Sequence, residues 1–162
     1  MKIVQAVSVN QIEAVRRLFE EYAASLGFSL CFQGFDKELA GLPGAYAPPE
    51  GRLFLAHLDS DHASHVPAGC VALRKLEPGI CEMKRLYVAP ACRGEGVGRA
   101  LAEHVIAEAR AIGYQKMRLD TVADKMQAAV AMYRALGFRE IPPYRVNPME
   151  HTLYMELELR QV

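Results

Sequence analysis

The sequence lacks the features that mark several large protein classes. No apolar run reaches the roughly 18 residues that a membrane-spanning helix needs. Lysine plus arginine equals aspartate plus glutamate, at 19 each, so the formal net charge is zero. A chain without a charge excess has no bulk electrostatic attraction for nucleic acid or for an anionic membrane. We therefore expect no nucleic acid and no membrane as a partner, and a monomer or a homodimer.

Patterns of cysteine and histidine that bind metal are also missing. The cysteines form no C-x-x-C pair, and the histidines show no ligand spacing, so we expect no metal. No signal-peptide pattern precedes the first strand-like stretch. Free thiols in such a chain are typical of a reducing compartment, which predicts a cytoplasmic location.

What the sequence does contain is an alternation of strand-like and helix-like segments. The periodicities predict a strand, a helix, a short helix near Asp36, three strands, a helix, a strand, a helix and two final strands. We expect a single α/β domain over residues 1–162 with a mixed sheet. Asn10 with Glu13 resembles a capping box for the first helix, Gly27 with Phe28 resembles its C-cap, and Asp124 is predicted to cap the last helix.

A glycine-rich loop, CRGEGVGRAL at residues 92–101, precedes the third predicted helix. It fails the Walker A pattern and the dinucleotide-binding pattern, because Arg99 and Leu101 stand where glycine or lysine is needed. Gly94, Gly96 and Gly98 have no side chain, so the backbone N–H groups at the helix start stay open to an anion such as a pyrophosphate. The alternative is a turn that only lets the helix pack closely.

Two stretches resemble motifs of the GNAT acetyltransferase superfamily. CEMKRLYVAPACRGEGVGRALAEHVIAEARAIGY is similar to motif A, whose Q/R-x-x-G-x-G/A pattern falls on Arg93, Gly96 and Gly98. AAVAMYRALGF resembles the second motif, matched by Ala129, Tyr133, Gly137 and Phe138, with Met132 for the usual leucine. One departure is Met126, where many members carry an asparagine that contacts the pantetheine arm.

The resemblance implies a fold and a co-substrate. The fold is a mixed, mostly antiparallel seven-stranded sheet flanked by about four helices, with a splay between the fourth and fifth strands. Acetyl-CoA would lie in that splay, its pantetheine arm paired with the backbone of Leu86, Tyr87 and Val88. The pyrophosphate would be bound by Arg93, Gly94, Gly96, Val97, Gly98 and Arg99.

The resemblance also implies the reaction, an N-acetyl transfer to a primary amine of a small molecule or peptide by direct attack in a ternary complex. Glu82 is the predicted base, since the histone-acetylating branch carries a glutamate eleven places before its Q/R, here Arg93. Alternatively Glu82 is a surface charge or a partner of Lys84 or Arg85. Strand alternation places Glu82, Lys84, Leu86 and Val88 on one face unless a bulge intervenes.

Tyr133 is the predicted acid for the leaving thiolate, and its alternative role is a core contact with Phe138. The Val88 amide is a possible donor to the oxyanion, and His151 is a reserve base. Asp120 would bind an amine or, more simply, cap a helix. The remaining function classes are a transferase using a longer acyl-CoA and a non-catalytic CoA-binding regulatory module.

The acceptor is expected to contact two segments, roughly Leu26 to Tyr46 and Pro142 to His151. These segments hold aromatic and polar side chains that suit a small amine-bearing metabolite or a peptide end, namely Phe28, Phe32, Phe35, Tyr46, Tyr144, Gln33, Glu38, Arg145 and Asn147.

Overall fold

The computed structural model describes residues 1–27, 29–30, 34–59 and 66–160 of the chain. Its strands are β1 (Lys2–Gln5), β2 (Arg52–His57), β3 (Pro67–Glu77), β4 (Ile80–Val88), β5 (Lys116–Val122), β6 (Arg139–Ile141) and β7 (Thr152–Glu158). Its α-helices are α1 (Val9–Ser25), α2 (Phe35–Ala40), α3 (Val97–Ile112) and α4 (Gln127–Ala135). This is the element order that the sequence predicts.

The strands form one seven-stranded sheet in the order β1-β2-β3-β4-β5-β7-β6. All neighbouring strands are antiparallel except β4 and β5, which are parallel. The β4–β5 pairing runs only from Ile80 opposite Lys116 to Glu82 opposite Arg118, and the two strands then separate. The mixed, mostly antiparallel sheet, open between its fourth and fifth strands, is confirmed.

Helices cover both faces of the sheet. The α3 and α4 helices pack on one face around Leu101, Met117 and Tyr133, and α1 and α2 pack on the other around Phe19 and Leu55. Helical spacing of apolar residues on α1 and α3 produces these contacts, because it gives each helix one apolar stripe. Across the described ranges, no helix is both long and apolar enough to cross a bilayer.

A bulge interrupts β4 at Arg85, whose φ of 58° lies in the left-handed region. Tyr87 pairs with Cys70 and Lys84 with Ala72, so Arg85 and Leu86 together oppose one residue of β3. After the bulge, Leu86 and Val88 pack against the α3 face, while Tyr87 packs in the α1 core. Strict alternation, which put Leu86 and Val88 on the face of Glu82, is therefore wrong beyond Lys84.

Two predicted caps of the first and last helices are also wrong. Helix α1 begins two residues before the predicted box, since Ser8 and Gln11 form the reciprocal capping box. Helix α4 has Met126 at its N-cap with no side-chain cap, so neither Asp120 nor Asp124 caps it. Asp124 lies instead 3.5 Å from His151. The predicted C-cap contact of Phe28 lies outside the described residues.

Candidate active site

A groove of about 540 Å³ occupies the splay between β4 and β5. The stretch from Met83 to Val88 forms one wall, and the stretch from Leu119 to Val122 forms the other. Residues at the end of α1 and along α4 close its sides, and Arg93 and Gly98 stand at one end. The groove thus joins the glycine loop to the middle of the sheet.

The glycine loop shapes the end of the groove that suits an anion. Gly94 and Gly96 have φ values of 85° and 77°, which non-glycine residues rarely adopt. Gly96 is the N-cap of α3 and offers no side chain, so the first N–H groups of the helix stay open. Arg99 pairs with Glu103 at 2.9 Å and therefore lies along the helix. The loop presents backbone donors and a partial positive charge to the groove.

The backbone of β4 beyond the bulge also faces the groove. The N–H of Ala89 donates to the carbonyl of Ala68 on β3 at 2.8 Å. Because polar groups of successive strand residues point to opposite edges, those of Val88 and Leu86 point away from β3. The Arg93 Nε donates to the Val88 carbonyl at 3.2 Å, on this same side. An extended ligand between the strands would find here backbone groups of Leu86 and Val88 that β3 does not pair.

Tyr133 combines the two roles that the sequence leaves open. Its ring packs edge-on against Phe138 at 5.6 Å between centroids, and the Phe138 N–H donates to the Tyr133 carbonyl at 3.0 Å. The same side chain lines the groove opposite β4. Burial raises the pKa of its hydroxyl above the ordinary value of 10, so the group keeps its proton at neutral pH.

Glu82 is completely buried and forms the centre of a charged cluster. Its carboxylate accepts from Arg74 Nε at 2.9 Å and from the Tyr144 hydroxyl at 2.7 Å, and it also pairs with Arg145. The Lys84 Nζ is 3.9 Å away. Glu82 is therefore not the surface charge that one alternative proposed. Among the described residues that line the groove, Glu82 is absent.

Because of the bulge, Arg85 lies on the α1 face together with Lys84. Arg85 donates to both carboxylate oxygens of Glu38, at 2.9 and 3.0 Å, so it is not the partner of Glu82. The pKa of Lys84 is lowered to about 8, mainly by burial and also by the charges of Arg85 and other arginines, while Glu82 opposes the shift. Lys84 lines the groove.

Asp120 lies in the wall of the groove that β5 forms. The Asn147 Nδ2 lies 3.5 Å from its carboxylate, and Asn147 also lines the groove. The sequence predicts that Asp120 binds an amine or caps a helix. It gives no indication that Lys84 lines the groove. The β4–β5 register, which decides both placements, leaves no local signal in the sequence.

The residues of the two segments expected to contact the acceptor are divided between the groove and the core. Leu26, Leu30 and Asn147 line the groove, whereas Phe35 and Tyr46 are buried in the α1 core. His151 is paired with Asp124, and Cys92 is a free thiol beside the glycine loop. Phe28, Phe32 and Gln33 lie outside the described residues. Within the described ranges, no cluster of histidine, cysteine and acidic side chains suits a metal ion.

Comparison with known proteins identifies the family. The model of the Acetyltransferase (GNAT) family matches residues 13–138, which include the glycine loop and the second motif. The chain belongs to the GNAT acetyltransferase family.

Similarity to individual proteins supports this family assignment. It is 38% identical over 158 residues to an uncharacterised N-acetyltransferase of Schizosaccharomyces pombe, covering 96% of this chain and 94% of the relative. It is 28% identical to one of Dictyostelium discoideum, covering 99% of each. The crystal structure of a GNAT acetyltransferase from Staphylococcus aureus superposes with a TM-score of 0.78 at 19% identity, covering 98% of this chain and 99% of that one. The family and its fold are confirmed.

Proposed function

We propose that the chain, acting as a single domain over residues 1–162, transfers the acetyl group of acetyl-CoA to a primary amine of a small molecule or peptide. The observation that carries this proposal is the continuous groove from the glycine loop through the β4–β5 splay to Tyr133 and Asp120. Family membership supports acyl transfer. The free thiols of Cys70, Cys81 and Cys92 suit a cytoplasmic location.

The residues present fit acetyl-CoA as the acyl donor. Backbone groups of Leu86 and Val88 would pair with the amides of the pantetheine arm, as an added strand does. Those of Tyr87 point to β3 in this register, so Tyr87 is not part of the pairing. The loop from Arg93 to Arg99 would bind the pyrophosphate, chiefly through the N–H groups of Gly94, Gly96, Val97 and Gly98. The side chain of Met126, which lines the groove, accepts from the Thr121 hydroxyl at 3.1 Å. An asparagine-like contact with the pantetheine arm is therefore not part of this proposal.

The transfer requires deprotonation of the acceptor ammonium and protonation of the leaving sulfur. One leaves the acceptor ammonium for a carboxylate, and the free amine then attacks the acetyl carbon, so that a C–N bond forms and the C–S bond breaks. Tyr133 donates a proton to the leaving sulfur and regains one from the new amide nitrogen through solvent. The Val88 N–H, which faces the groove, would stabilise the oxyanion.

Two carboxylates compete for the role of proton acceptor. Glu82 is the one that the sequence predicts, and it stays a prediction. Its burial and its three hydrogen-bonding partners favour a positioning role, because proton uptake would require it to give up bonds to two arginines. Asp120 lines the groove and keeps its carboxylate accessible to an amine. We therefore propose Asp120 as the direct acceptor.

Titration of the full chain with CoA, followed by calorimetry, tests the co-substrate. Incubation with acetyl-CoA and pooled primary amines, followed by free-thiol release and mass spectrometry of the amines, tests the transfer. We expect micromolar CoA binding and an acetylated amine. Absence of CoA binding would refute the proposed function, and binding without any amine acetylation would leave a CoA-binding regulatory module as the function.

Replacement of Gly96 by Ala is expected to weaken CoA binding about 5- to 30-fold. The added Cβ meets no atom within 4 Å, but the φ of 77° is strained for any residue with a side chain. That strain costs about 1–2 kcal/mol, which the loop relieves by leaving the conformation that binds the pyrophosphate. Calorimetric titration with CoA measures the effect.

Gly113→Ala is the matched control for this variant. Gly113 has a φ of 108° at the other end of α3, also with nothing within 4 Å of an added Cβ. We expect a comparable loss of stability with wild-type CoA affinity. Equal affinity losses in both variants would mean that the loop conformation at Gly96 has no special part in binding.

A further inference from the structure

The cluster around Glu82 carries more positive than negative charge. Within the described part of the chain, Arg74, Lys84 and Arg145 all pair with this one carboxylate. Arg85, which also acts on Lys84, is balanced by Glu38. Buried charges are stable when each has a counter-charge. Among the described residues, three cations share Glu82, and they still outnumber the anions when Asp120, whose charge acts on Tyr144 beside Glu82, is included. A further anion is therefore favoured here.

Lys84 is the member of this cluster that a ligand reaches. Its side chain is buried in the protein and lines the groove. The pairing of Glu82 with Arg118 ends the β4–β5 ladder, and Lys84 and Asp120 each lie two residues further along their strands. Side chains two residues apart on a strand share a face, so Lys84 and Asp120 stand on the same face at the start of the splay.

This arrangement gives the acceptor end of the groove a cation on one wall and an anion on the other. The remaining wall, from α1 and the segment after it, includes the apolar or aromatic Tyr22, Leu26 and Leu30. Lys125 also lines the groove, and its ammonium lies near the end of α1, 3.6 Å from where a Cβ at Gly27 would stand. A ligand that matches all three features has an amine, a carboxylate close to it, and an apolar substituent.

We propose that the acceptor is a free α-amino acid with an apolar side chain, whose carboxylate pairs with Lys84 and whose ammonium pairs with Asp120. The substituent packs against Tyr22, Leu26 and Leu30, and the product is the N-acetyl amino acid. This inference rests on the proposed function, since it names the amine that receives the acetyl group. An internal peptide lysine, which has no carboxylate beside its amine, does not match Lys84.

The charge on Lys84 makes the recognition of the carboxylate dependent on pH. The groups that act on the Lys84 ammonium are Glu82 and Arg85 on its own strand, Arg74 on β3 and Arg145 on the loop before β7, and Asp120 faces it across the groove. Because the pKa of Lys84 is about 8, the ammonium is present below that pH and is lost above it. Carboxylate binding is therefore expected to weaken as the pH rises through 8.

A matched pair of product-like probes isolates the carboxylate. N-acetyl-L-leucine and N-acetyl-L-leucinamide have the same size and no free amine, and they differ only in the charged group. In calorimetric titrations of the CoA complex at pH 7, we expect the carboxylate to bind at least tenfold more tightly than the amide. We expect Lys84→Met to abolish this difference, and Lys75→Met, an exposed lysine on β3, to retain it.

Turnover of L-leucine and L-leucinamide distinguishes failure of this inference from failure of the proposed function. Acetylation of leucine together with the carboxylate preference in binding supports the proposal. Acetylation of leucinamide with equal binding of both probes refutes the amino-acid acceptor and leaves the proposed function standing. Failure of the chain to bind CoA refutes both. Retention of the preference in Lys84→Met, with a thermal transition like that of the wild type, refutes Lys84 as the recognising cation.

Discussion

Replacement of Glu82 by Gln is expected to lower the free energy of unfolding by about 3–5 kcal/mol, because removal of one partner from a buried ion cluster leaves the others uncompensated. The amide keeps the shape of the carboxylate but removes the negative charge that Arg74, Lys84 and Arg145 share. Urea denaturation at pH 7 measures the change. A loss below about 1 kcal/mol would mean that solvent compensates the cluster.

Asp120→Asn on β5 is the counterpart of Glu82→Gln on β4, since each variant replaces a carboxylate by its amide. Asp120 is only partly buried, and the side-chain hydrogen bond that the described residues give it is the long one with Asn147. We expect little change in stability and the loss of the acidic limb of the pH–rate profile, since the proposed proton acceptor is gone. If Glu82→Gln loses that limb and Asp120→Asn keeps it, Glu82 is the proton acceptor, as the sequence predicts.

Replacement of Tyr133 by Phe is expected to lower kcat by about 100-fold or more, the usual contribution of a positioned general acid. The phenyl ring keeps the edge-on contact with Phe138, so the fold and the groove are preserved. Only the proposed proton donor for the leaving thiolate is lost. We expect CoA affinity to stay within about twofold of the wild type, because the proposed interaction acts in the transition state. Steady-state kinetics with a saturating amine and CoA calorimetry measure the two quantities.

Tyr114→Phe is the control for loss of a buried tyrosine hydroxyl. Tyr114 follows α3, and its hydroxyl donates to the Glu50 carbonyl at 2.7 Å, away from the residues that line the groove. We expect it to lose about 1 kcal/mol of stability with kcat unchanged. If Tyr133→Phe has wild-type kcat, Tyr133 is a core residue only.

Local sequence patterns predicted the order of elements well. Apolar residues at helical spacing marked α1, α3 and α4, and Gly113 and Gly137 marked helix ends, because these signals come from residues close along the chain. Helix starts were less certain, since Ser8 with Gln11 and Asn10 with Glu13 offer similar capping chemistry.

The site depended on contacts that no local pattern encodes. The glycine loop and Tyr133 were found through motifs, and both lie on the groove. The sequence leaves room for a bulge in β4 but does not place it at Arg85, because an arginine, not a glycine, adopts the left-handed conformation there. The bulge places Lys84 and Arg85 on one face, and the register of β4 with β5 sets Lys84 and Asp120 opposite each other. Both are products of long-range pairing.

The short ladder between β4 and β5 divides the sheet into two plates. One plate is β1-β2-β3-β4 and the other is β5-β7-β6, and their seam is three residue pairs long. Beyond these three pairs, the angle between the plates is held by side chains such as Met83 on β4 and Leu119 on β5, which share the core on the α3 face. A ligand that lies along the open seam completes the sheet and fixes that angle. Because this core spans both plates, a change in the width of the acceptor end would require it to repack.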